Sequence, residues 1–225
     1  MPLRGVLFDA GGTLLQVHSD RLADELRVRG AEPGDLSGAF WRTLVLLDAE
    51  LGPSKVEPGE WYPRFLERLA EHSALPAEVV AAAWKAADER QHLWDEPIPG
   101  AHECLTRLAE AGLRLGVVSN SDGRVESALA RANLAEFFAV IVDSGVVGVA
   151  KPDPRIFDHA LPALDLAAAD TWYLGDTVLY DAAAADAAGL TSWVIDHHGL
   201  HTVDHPRRVT SLAEFADAAI HAARS

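Results

Sequence analysis

The chain has 225 residues, a formal net charge of −15 and a single cysteine, Cys104. Its length suits one large domain, or a core with an insertion. The negative charge repels polyanions, so we expect neither nucleic acid nor an anionic membrane as a partner. One cysteine allows no internal disulfide, and we see no signal peptide or long apolar stretch. The sequence therefore predicts a cytoplasmic protein, and it does not indicate an oligomeric state.

The first predicted element is a short buried strand, followed by a helical region. Residues 3–8 (LRGVLF) lead into Asp9, and the small residues 10–13 (AGGT) predict a turn. Between about residues 18 and 92, four segments carry apolar residues at three- and four-residue spacing. Gly and Pro separate these segments, which indicates a small bundle of four amphipathic helices.

Strands and helices alternate after Pro97 and Pro99. The predicted helices cover 101–111, 122–133, 154–163, 180–188 and 211–222, and the predicted strands are LRLGVVS, FFAVIVDS, TWYLGD and TSWVID. This alternation predicts right-handed crossovers and a parallel sheet with helices on both faces. We therefore expect an α/β fold with a doubly wound, Rossmann-like core. Its predicted parts are residues 1–16 and 96–225, with residues 17–95 inserted as a helical cap domain.

Polar side chains follow the carboxyl ends of the predicted strands, which is the edge where ligands bind in open α/β sheets. They are Asp9, Ser119, Lys151, Asp176 and Asp181. A group of carboxylates with one cation and one hydroxyl suits a phosphate held through a divalent metal such as Mg²⁺. Lysine and serine can hold phosphate oxygens, and an aspartate can attack phosphorus to form an aspartyl-phosphate.

Four segments carry a resemblance to a known family. They are FDAGGTLL (8–15), VVSNSD (117–122), KPDPRIF (151–157) and GDTVLYD (175–181). In this order they resemble the four motifs of the haloacid dehalogenase-like hydrolase superfamily, and the helical insertion resembles the cap of its subfamily I. The resemblance implies a phosphatase-like hydrolase with Mg²⁺ as cofactor and a small phosphorylated metabolite as substrate.

Roles for single residues follow from the resemblance. It implies that Asp9 is the catalytic nucleophile and that Lys151 is a catalytic residue that neutralises it. The implied metal ligands are Asp9, Gly11 (through its carbonyl), Asp176 and Asp181. The implied substrate-binding residues are Thr13, Ser119, Asn120 and Lys151.

One position departs from the phosphatase pattern. Family phosphatases carry a second aspartate two residues after the nucleophile, where it protonates the leaving oxygen and then activates water. That position is Gly11 in this chain. General acid–base catalysis typically contributes about 10²–10⁴-fold. The chain can therefore be a weak or specialised phosphatase, a phosphate-binding or regulatory protein with little turnover, or an enzyme with other superfamily chemistry.

Two other superfamily chemistries need different residues. Haloacid dehalogenation needs no metal, so the pair Asp176 and Asp181 argues against it. A phosphonatase-like mechanism needs a cap lysine that forms a Schiff base, and Lys55 and Lys85 are the cap lysines. Both lie in polar stretches, which predicts solvated side chains.

Residues after the first strand could supply the missing acid. His18 and Asp20 are the candidates. The plainer interpretation is that Ser19 or Asp20 caps the first helix of the bundle.

Histidines cluster after the last predicted strand, at His197, His198, His201 and His205. Imidazoles at this spacing could bind a transition metal. The Gly and Pro residues among them instead favour a solvated loop at the rim of the site.

The bundle is rich in aromatic residues, namely Trp41, Trp61, Tyr62, Trp84 and Trp94. We expect most of them in the core or between cap and core, and one or two could line an apolar substrate pocket.

Overall fold

The computed structural model describes residues 2–51 and 61–225, so Lys55 lies outside the described residues. The strands in chain order are β1 (Gly5–Phe8), β2 (Leu15–Gln16), β3 (Glu96–Pro97), β4 (Arg114–Ser119), β5 (Val140–Asp143), β6 (Thr171–Gly175), β7 (Thr191–Ile195) and β8 (Arg208–Val209). The helices are α1 (Ser19–Val28), α2 (Leu36–Leu51), α3 (Trp61–Ser73), α4 (Ala77–Arg90), α5 (Ala101–Glu110), α6 (Val125–Arg131), α7 (Ser144–Val147), α8 (Ala183–Ala187) and α9 (Leu212–Ala223).

The predicted parallel sheet is confirmed. Six strands pair in the order β5-β4-β1-β6-β7-β8, and every pairing between them is parallel. Phe8, the last residue of β1, pairs with Val117 of β4 and Leu174 of β6. Because these three strands run side by side in one direction, the loops after them meet at one edge of the sheet. The chain builds the sheet outward from β1 in both directions, so β1 lies at the point where the strand order reverses. Open α/β sheets bind ligands at such points.

Both faces of the sheet are covered. On one face Val6 and Phe8 pack in the larger core cluster, where Phe8 contacts Phe215 of α9 edge-to-face at 5.9 Å. On the other face Leu7 packs with Tyr173 and other residues of a second cluster. All four residues of β1 are buried, as expected for a strand in a parallel sheet with both faces covered.

Helices α1 to α4, which we call the cap helices, lie between β2 and β3 in the chain and pack on one another, with α1 against α4 and α2 against α3. The antiparallel pair β2–β3 joins the two ends of this segment. These contacts support the cap boundaries 17–95, which stay a prediction. None of the helices in the described ranges combines the length and hydropathy that a membrane span needs.

Several predicted elements differ from the structure. The helix predicted at 154–163 is a 3₁₀ segment over Pro154–His159, and Pro162 provides no N–H group to continue a regular α-helix through it. The helix predicted at 180–188 begins as a π-turn, Val178–Ala182, and only then becomes α8. The two-residue strands β2, β3 and β8 and the single turn α7 are too short to leave a periodic pattern, and they were not predicted.

Candidate active site

A buried ion pair lies at the carboxyl edge of the sheet. Nζ of Lys151 is 2.5 Å from Oδ1 of Asp9 and 2.6 Å from Oδ1 of Asp181. The three side chains come from the loop after β1, the loop before the 3₁₀ segment and the turn after β6. Each of them is at most 6% exposed. Charges removed from water in this way are tolerated only when they are paired, and here one ammonium joins two carboxylates.

Tyr173 is a third partner of this lysine, and it was not predicted as a site residue. Its hydroxyl accepts a hydrogen bond from Lys151 Nζ at 2.8 Å. The same hydroxyl lies 2.9 Å from both the Val118 carbonyl and Oδ1 of Asp181, to which it can donate. The signal in the sequence was a tyrosine within a strand buried on both faces, because a buried phenol hydroxyl needs a polar partner.

Asn120 holds the main chain of Lys151. Its side-chain Nδ2 donates to the Lys151 carbonyl at 2.9 Å, and its Oδ1 accepts the Lys151 N–H at 2.8 Å. The two bonds fix the loop that presents the ammonium group to Asp9. This positioning contact is what the structure shows for Asn120, and direct contact with substrate stays a prediction.

Burial and charge shift the pKa values of these groups. Burial raises the pKa of Asp9 to about 6, although Lys151 and the Ser119 hydroxyl oppose that shift. Burial alone would lower the pKa of Lys151, but Asp181 and Asp9 outweigh it and the pKa is raised. Burial would raise the pKa of Asp181, but Lys151 and Thr177 hold it below its usual value. The ammonium group is thus locked in its charged form.

Asp176 lies in this cluster without a counter-charge of its own. Burial, together with the negative charges of Asp181 and Asp9, raises its pKa well above the usual value. Nothing in the described part of the chain donates a hydrogen bond to its carboxylate. Three carboxylates therefore share one ammonium, Lys151, and a divalent cation would balance the excess charge.

The donor set fits Mg²⁺ bound mainly through water and phosphate. Within residues 2–51 and 61–225, no three His, Cys, Asp or Glu side chains converge as a ready-made metal cage. Mg²⁺ does not require one, because it usually keeps several waters and uses one or two carboxylates plus substrate phosphate. Asp9 and Asp176 are the carboxylates available for this. Both oxygens of Asp181 already accept hydrogen bonds, from Lys151 and Tyr173 at Oδ1 and from Thr177 at Oδ2.

Ser119 and Thr13 are both buried at this edge. The hydroxyl of Ser119 is near enough to Asp9 to help lower its pKa. The hydroxyl of Thr13 is enclosed and has no hydrogen-bond partner in the described residues. An unpaired buried hydroxyl costs free energy, and an oxygen of a bound ligand could pair it. Their roles in holding a phosphoryl group stay predictions.

An indole ring fills the place that a side chain at position 11 would take. A Cβ atom placed on Gly11 would lie 3.0 Å from Cζ3 and 3.1 Å from Cε3 of Trp94. Gly11 does not have a positive φ, whereas its neighbour Gly12 has φ of +79°. Position 11 is therefore limited by space, and position 12 by its backbone conformation as well.

Helix α2 covers the site from the cap side. Leu44 lies 2.8 Å from where a Cβ of Gly12 would be, and Trp41 contacts His198 with ring centroids 4.9 Å apart. Asp48, which was not predicted, accepts the N–H of Val178 at 2.9 Å. Trp41 and Trp84 are buried, Trp61 and Trp94 are half-buried and Tyr62 is exposed. The structure thus has the cap closed over Asp9.

The histidine loop lies at the rim of the site, as expected, but it is only partly exposed to solvent. His197 and His201 are half-buried, and only His198 of the first three is exposed. The ring of His197 lies by the main chain of Gly12 and Thr13, and burial lowers its pKa to about 4. The loop folds back onto the site because the carboxylate of Asp196 accepts the N–H groups of Leu200 and His201. Among the described residues, 2–51 and 61–225, these histidines do not converge with other ligating side chains as a transition-metal site requires.

The start of α1 also differs from expectation. His18 occupies the N-cap position and makes no side-chain capping hydrogen bond, so capping by Ser19 or Asp20 is wrong. The Nδ1 atom of His18 is buried without a partner among the described residues. No contact of His18 or Asp20 with Asp9 supports either of them as the missing acid.

Comparison with known proteins agrees with this geometry. A family model for haloacid dehalogenase-like hydrolases matches residues 3–189. The chain belongs to the haloacid dehalogenase-like hydrolases. It is 36% identical over 208 residues to haloacid dehalogenase-like hydrolase domain-containing protein 3 of Xenopus laevis, with 87% of this chain and 85% of that protein covered.

Two further relatives cover almost the whole of this hydrolase. It is 29% identical over 218 residues to a glyceraldehyde 3-phosphate phosphatase of Methanopyrus kandleri, with 95% and 92% of the two chains covered. The crystal structure of the magnesium-bound HAD hydrolase YfnB of Bacillus subtilis has a TM-score of 0.71 at 18% identity, with 97% and 99% covered. The second likeness shows that the two chains share a fold.

Proposed function

We propose that this hydrolase is a Mg²⁺-dependent phosphatase that acts on a small phosphorylated metabolite through an aspartyl-phosphate at Asp9. The observation that carries the proposal is the buried contact of 2.5 Å between Lys151 Nζ and Asp9 Oδ1, inside a cluster with excess negative charge. A carboxylate held next to an ammonium and a candidate metal site can approach a phosphate dianion that it would otherwise repel.

Each group then has a task. An oxygen of Asp9 attacks phosphorus, and the ammonium of Lys151 offsets the charge of the incoming phosphoryl oxygens. Ser119 and Thr13 donate hydrogen bonds to those oxygens, and Asp181 holds the ammonium in place. Mg²⁺, when bound by Asp9, Asp176 and the Gly11 carbonyl, supplies positive charge toward the phosphoryl oxygens. The fit of the carboxylates supports these assignments.

Relatives support the class of substrate. The Methanopyrus protein is named for a three-carbon sugar phosphate, and the Bacillus neighbour binds magnesium. The net charge of −15 favours a small ligand over a polyanion. The closed cap leaves Asp9 and Lys151 almost inaccessible, so substrate entry requires the contacts of α2 to open. We keep the cytoplasmic location as part of this proposal.

The alternatives fare less well against the structure. The ammonium of Lys85 pairs with Glu89 on the surface of α4, with 77% of the lysine side chain exposed. It is thus poorly placed for a Schiff base. Dehalogenation does not account for Asp176 in a cluster that already lacks positive charge. A phosphate-binding protein with slow turnover has one observation in its favour, the absence of an acid–base side chain at Gly11.

A hydrolysis screen tests the proposal. The full chain and its Asp9→Asn variant are assayed with and without Mg²⁺ on glyceraldehyde 3-phosphate, other sugar phosphates, acetyl phosphate and a 2-haloacid. Asp217→Asn, a surface aspartate of α9 paired with Arg107, serves as the matched control. We expect Mg²⁺-dependent phosphate release that Asp9→Asn abolishes. Halide release without metal would instead establish the dehalogenase alternative, and binding without release would establish the phosphate-binding one.

A further inference from the structure

The ring of Trp94 lies over Gly11 and packs against two cap residues. Trp94 lies in the linker between α4 and β3, and its main-chain N–H donates to Nδ1 of His92 at 3.1 Å. Its ring packs edge-on against Phe40 at a centroid distance of 5.3 Å and at a tilt against Phe65 at 6.2 Å. The indole is thus fixed by several neighbours.

The linker residues on both sides of Trp94 are anchored as well. The Leu93 N–H donates to Asp88 of α4 at 2.8 Å. The carboxylate of Asp95 is buried, and it pairs with Arg21 of α1 and with Arg131 of α6, the latter at 3.0 Å. Asp95 therefore joins the cap to the core immediately beside Trp94. These contacts on both sides of Trp94 fix the linker in the closed structure.

The position of the Trp94 ring explains why residue 11 is glycine. The φ of Gly11 is one that any residue can adopt, so the backbone does not require glycine there. A Cβ at 3.0 Å from the ring would make an unusually tight contact, so Trp94 would have to shift by a few tenths of an ångström, and the carboxylate of an aspartate would extend further still. Gly11 and Trp94 are therefore complementary in volume.

We propose that Trp94 replaces an acid–base side chain beside Asp9 and selects phosphate esters with flat, apolar leaving groups that depart without protonation. The inference rests on the proposed phosphatase function. An indole cannot protonate a leaving oxygen, so alkoxides, which are strong bases, leave slowly. Phenolates and enolates are weaker bases, and their flat apolar groups can pack against the indole.

The reaction balances without a proton donor. An Asp9 oxygen forms a bond to phosphorus while the bond from phosphorus to the leaving oxygen breaks, and the electron pair leaves with that oxygen as a phenolate. Water then attacks phosphorus, the bond to Asp9 breaks, and both protons of that water remain on the dihydrogen phosphate. The released phenolate takes its proton from solvent.

Two series of substrates test the role of Trp94. Substituted phenyl phosphates give the dependence of kcat/KM on leaving-group pKa. Acetyl phosphate is a small acyl phosphate whose leaving group, acetate, also departs unprotonated. We expect wild type to lose kcat/KM steeply as leaving-group pKa rises, and to hydrolyse alkyl phosphates on the order of 10²-fold more slowly than aryl ones. In Trp94→Leu the ratio of kcat/KM for phenyl phosphates to that for acetyl phosphate should fall about fivefold.

Trp61→Leu is the matched control, since Trp61 stacks on Phe65 at 5.2 Å but does not approach Gly11. The ratio should not change in this variant. An unchanged ratio in Trp94→Leu, or an equal fall in both variants, overturns the inference. If Trp94→Leu does not fold, Trp94→Phe, which keeps an aromatic ring of smaller size, gives the same comparison.

The second test enlarges residue 11 and shrinks residue 94 in the same protein. Gly11→Asp alone should lose activity on all esters because its side chain meets Trp94. Gly11→Asp combined with Trp94→Ala should flatten the dependence on leaving-group pKa and raise alkyl ester hydrolysis by up to about 10²-fold over the single Gly11→Asp variant. If wild type already hydrolyses alkyl esters as fast as aryl esters, the inference is wrong while the phosphatase proposal survives. If no phosphate ester is hydrolysed, the proposed function itself fails.

Discussion

The carboxylate of Asp48 accepts the main-chain N–H of Val178 at 2.9 Å, which joins cap helix α2 to the turn that carries Asp181. The N–H of Leu179 donates to the same carboxylate at 3.2 Å. Asp48 is 2% exposed, and burial raises its pKa to about 6 despite these hydrogen bonds. A closed cap therefore holds a carboxylate at some cost in free energy.

This cost predicts a dependence of stability on pH. The pKa of Asp48 is raised in the folded chain, so the folded state binds the proton more tightly than the unfolded state between about pH 4 and 6. Its contribution to stability is full below pH 4 and is lost as pH rises through 6. Asn at this position carries no charge. In Asp48→Asn the fall in unfolding free energy between pH 4.5 and 7 should shrink by about 2 kcal/mol.

Urea unfolding of both proteins at the two pH values measures this difference, without added Mg²⁺. The comparison between variants cancels the titration of Asp9. Asp48→Asn also removes one of the negative charges that raise the pKa of Asp176, which weakens the pH dependence in the same direction. Asp186→Asn, a half-exposed site on α8, is the control and should leave the pH dependence as in wild type. An equal pH dependence in Asp48→Asn and wild type would contradict the account of the cap contact.

Mg²⁺ should stabilise the folded chain through Asp176. This carboxylate has a raised pKa and no hydrogen-bond donor among the described residues, so binding of a cation relieves repulsion. A ligand that binds only the folded state at about 100 times its Kd adds roughly 2.7 kcal/mol. Thermal unfolding with and without Mg²⁺ checks this.

The matched variant for that experiment is Asp176→Asn. It should be at least as stable as wild type without metal, because one negative charge is removed from the cluster. It should also lose the response to Mg²⁺, whereas Asp217→Asn on α9 should keep it. A full Mg²⁺ response in Asp176→Asn would remove this residue from the metal site.

Tyr173 should support Lys151 without touching the substrate. In Tyr173→Phe the ring remains, but Lys151 loses one hydrogen-bond acceptor. Loss of a typical hydrogen bond costs about 1 kcal/mol of stability. We expect kcat to fall by about 10-fold with little change in KM, because the ammonium becomes less well placed toward Asp9. Tyr62→Phe on the exposed cap surface is the control. A change confined to KM would instead indicate direct contact with substrate.

Much of the fold could be predicted because its elements leave regular patterns. β1 and β4 are apolar runs that end in Asp9 and Ser119, and the topology of a parallel sheet brings such ends together. The 3₁₀ segment after Lys151 is limited by Pro162, and the π-turn before α8 depends on the contact between Thr177 and Asp181. Apolar periodicity alone reads both as ordinary helices.

The site residues that the sequence does not predict make contacts between elements that are far apart in the chain. In the sequence, Asp48 is an ordinary polar residue of an amphipathic helix. Its role becomes visible only in the structure, where α2 packs on the turn after β6. In the sequence, Tyr173 is simply a residue of a buried strand. The structure adds that its hydroxyl contacts Lys151. The sequence shows that Gly11 lacks the acid, but only the packing of Trp94 against it shows how little space a side chain has there. Such pairings depend on tertiary contacts, which no local pattern contains.

The most direct test of the central claim is to trap the phosphoenzyme. The full chain is mixed with acetyl phosphate and Mg²⁺, quenched with acid within a turnover and digested, and the peptide that carries a phosphoryl group is identified by mass spectrometry. The account predicts one phosphoryl group on Asp9, absent when the metal is chelated and absent in Asp9→Asn, which should stay folded by circular dichroism. Phosphate release by Asp9→Asn at more than about a tenth of the wild-type rate, where loss of a nucleophile should cost far more, would contradict it.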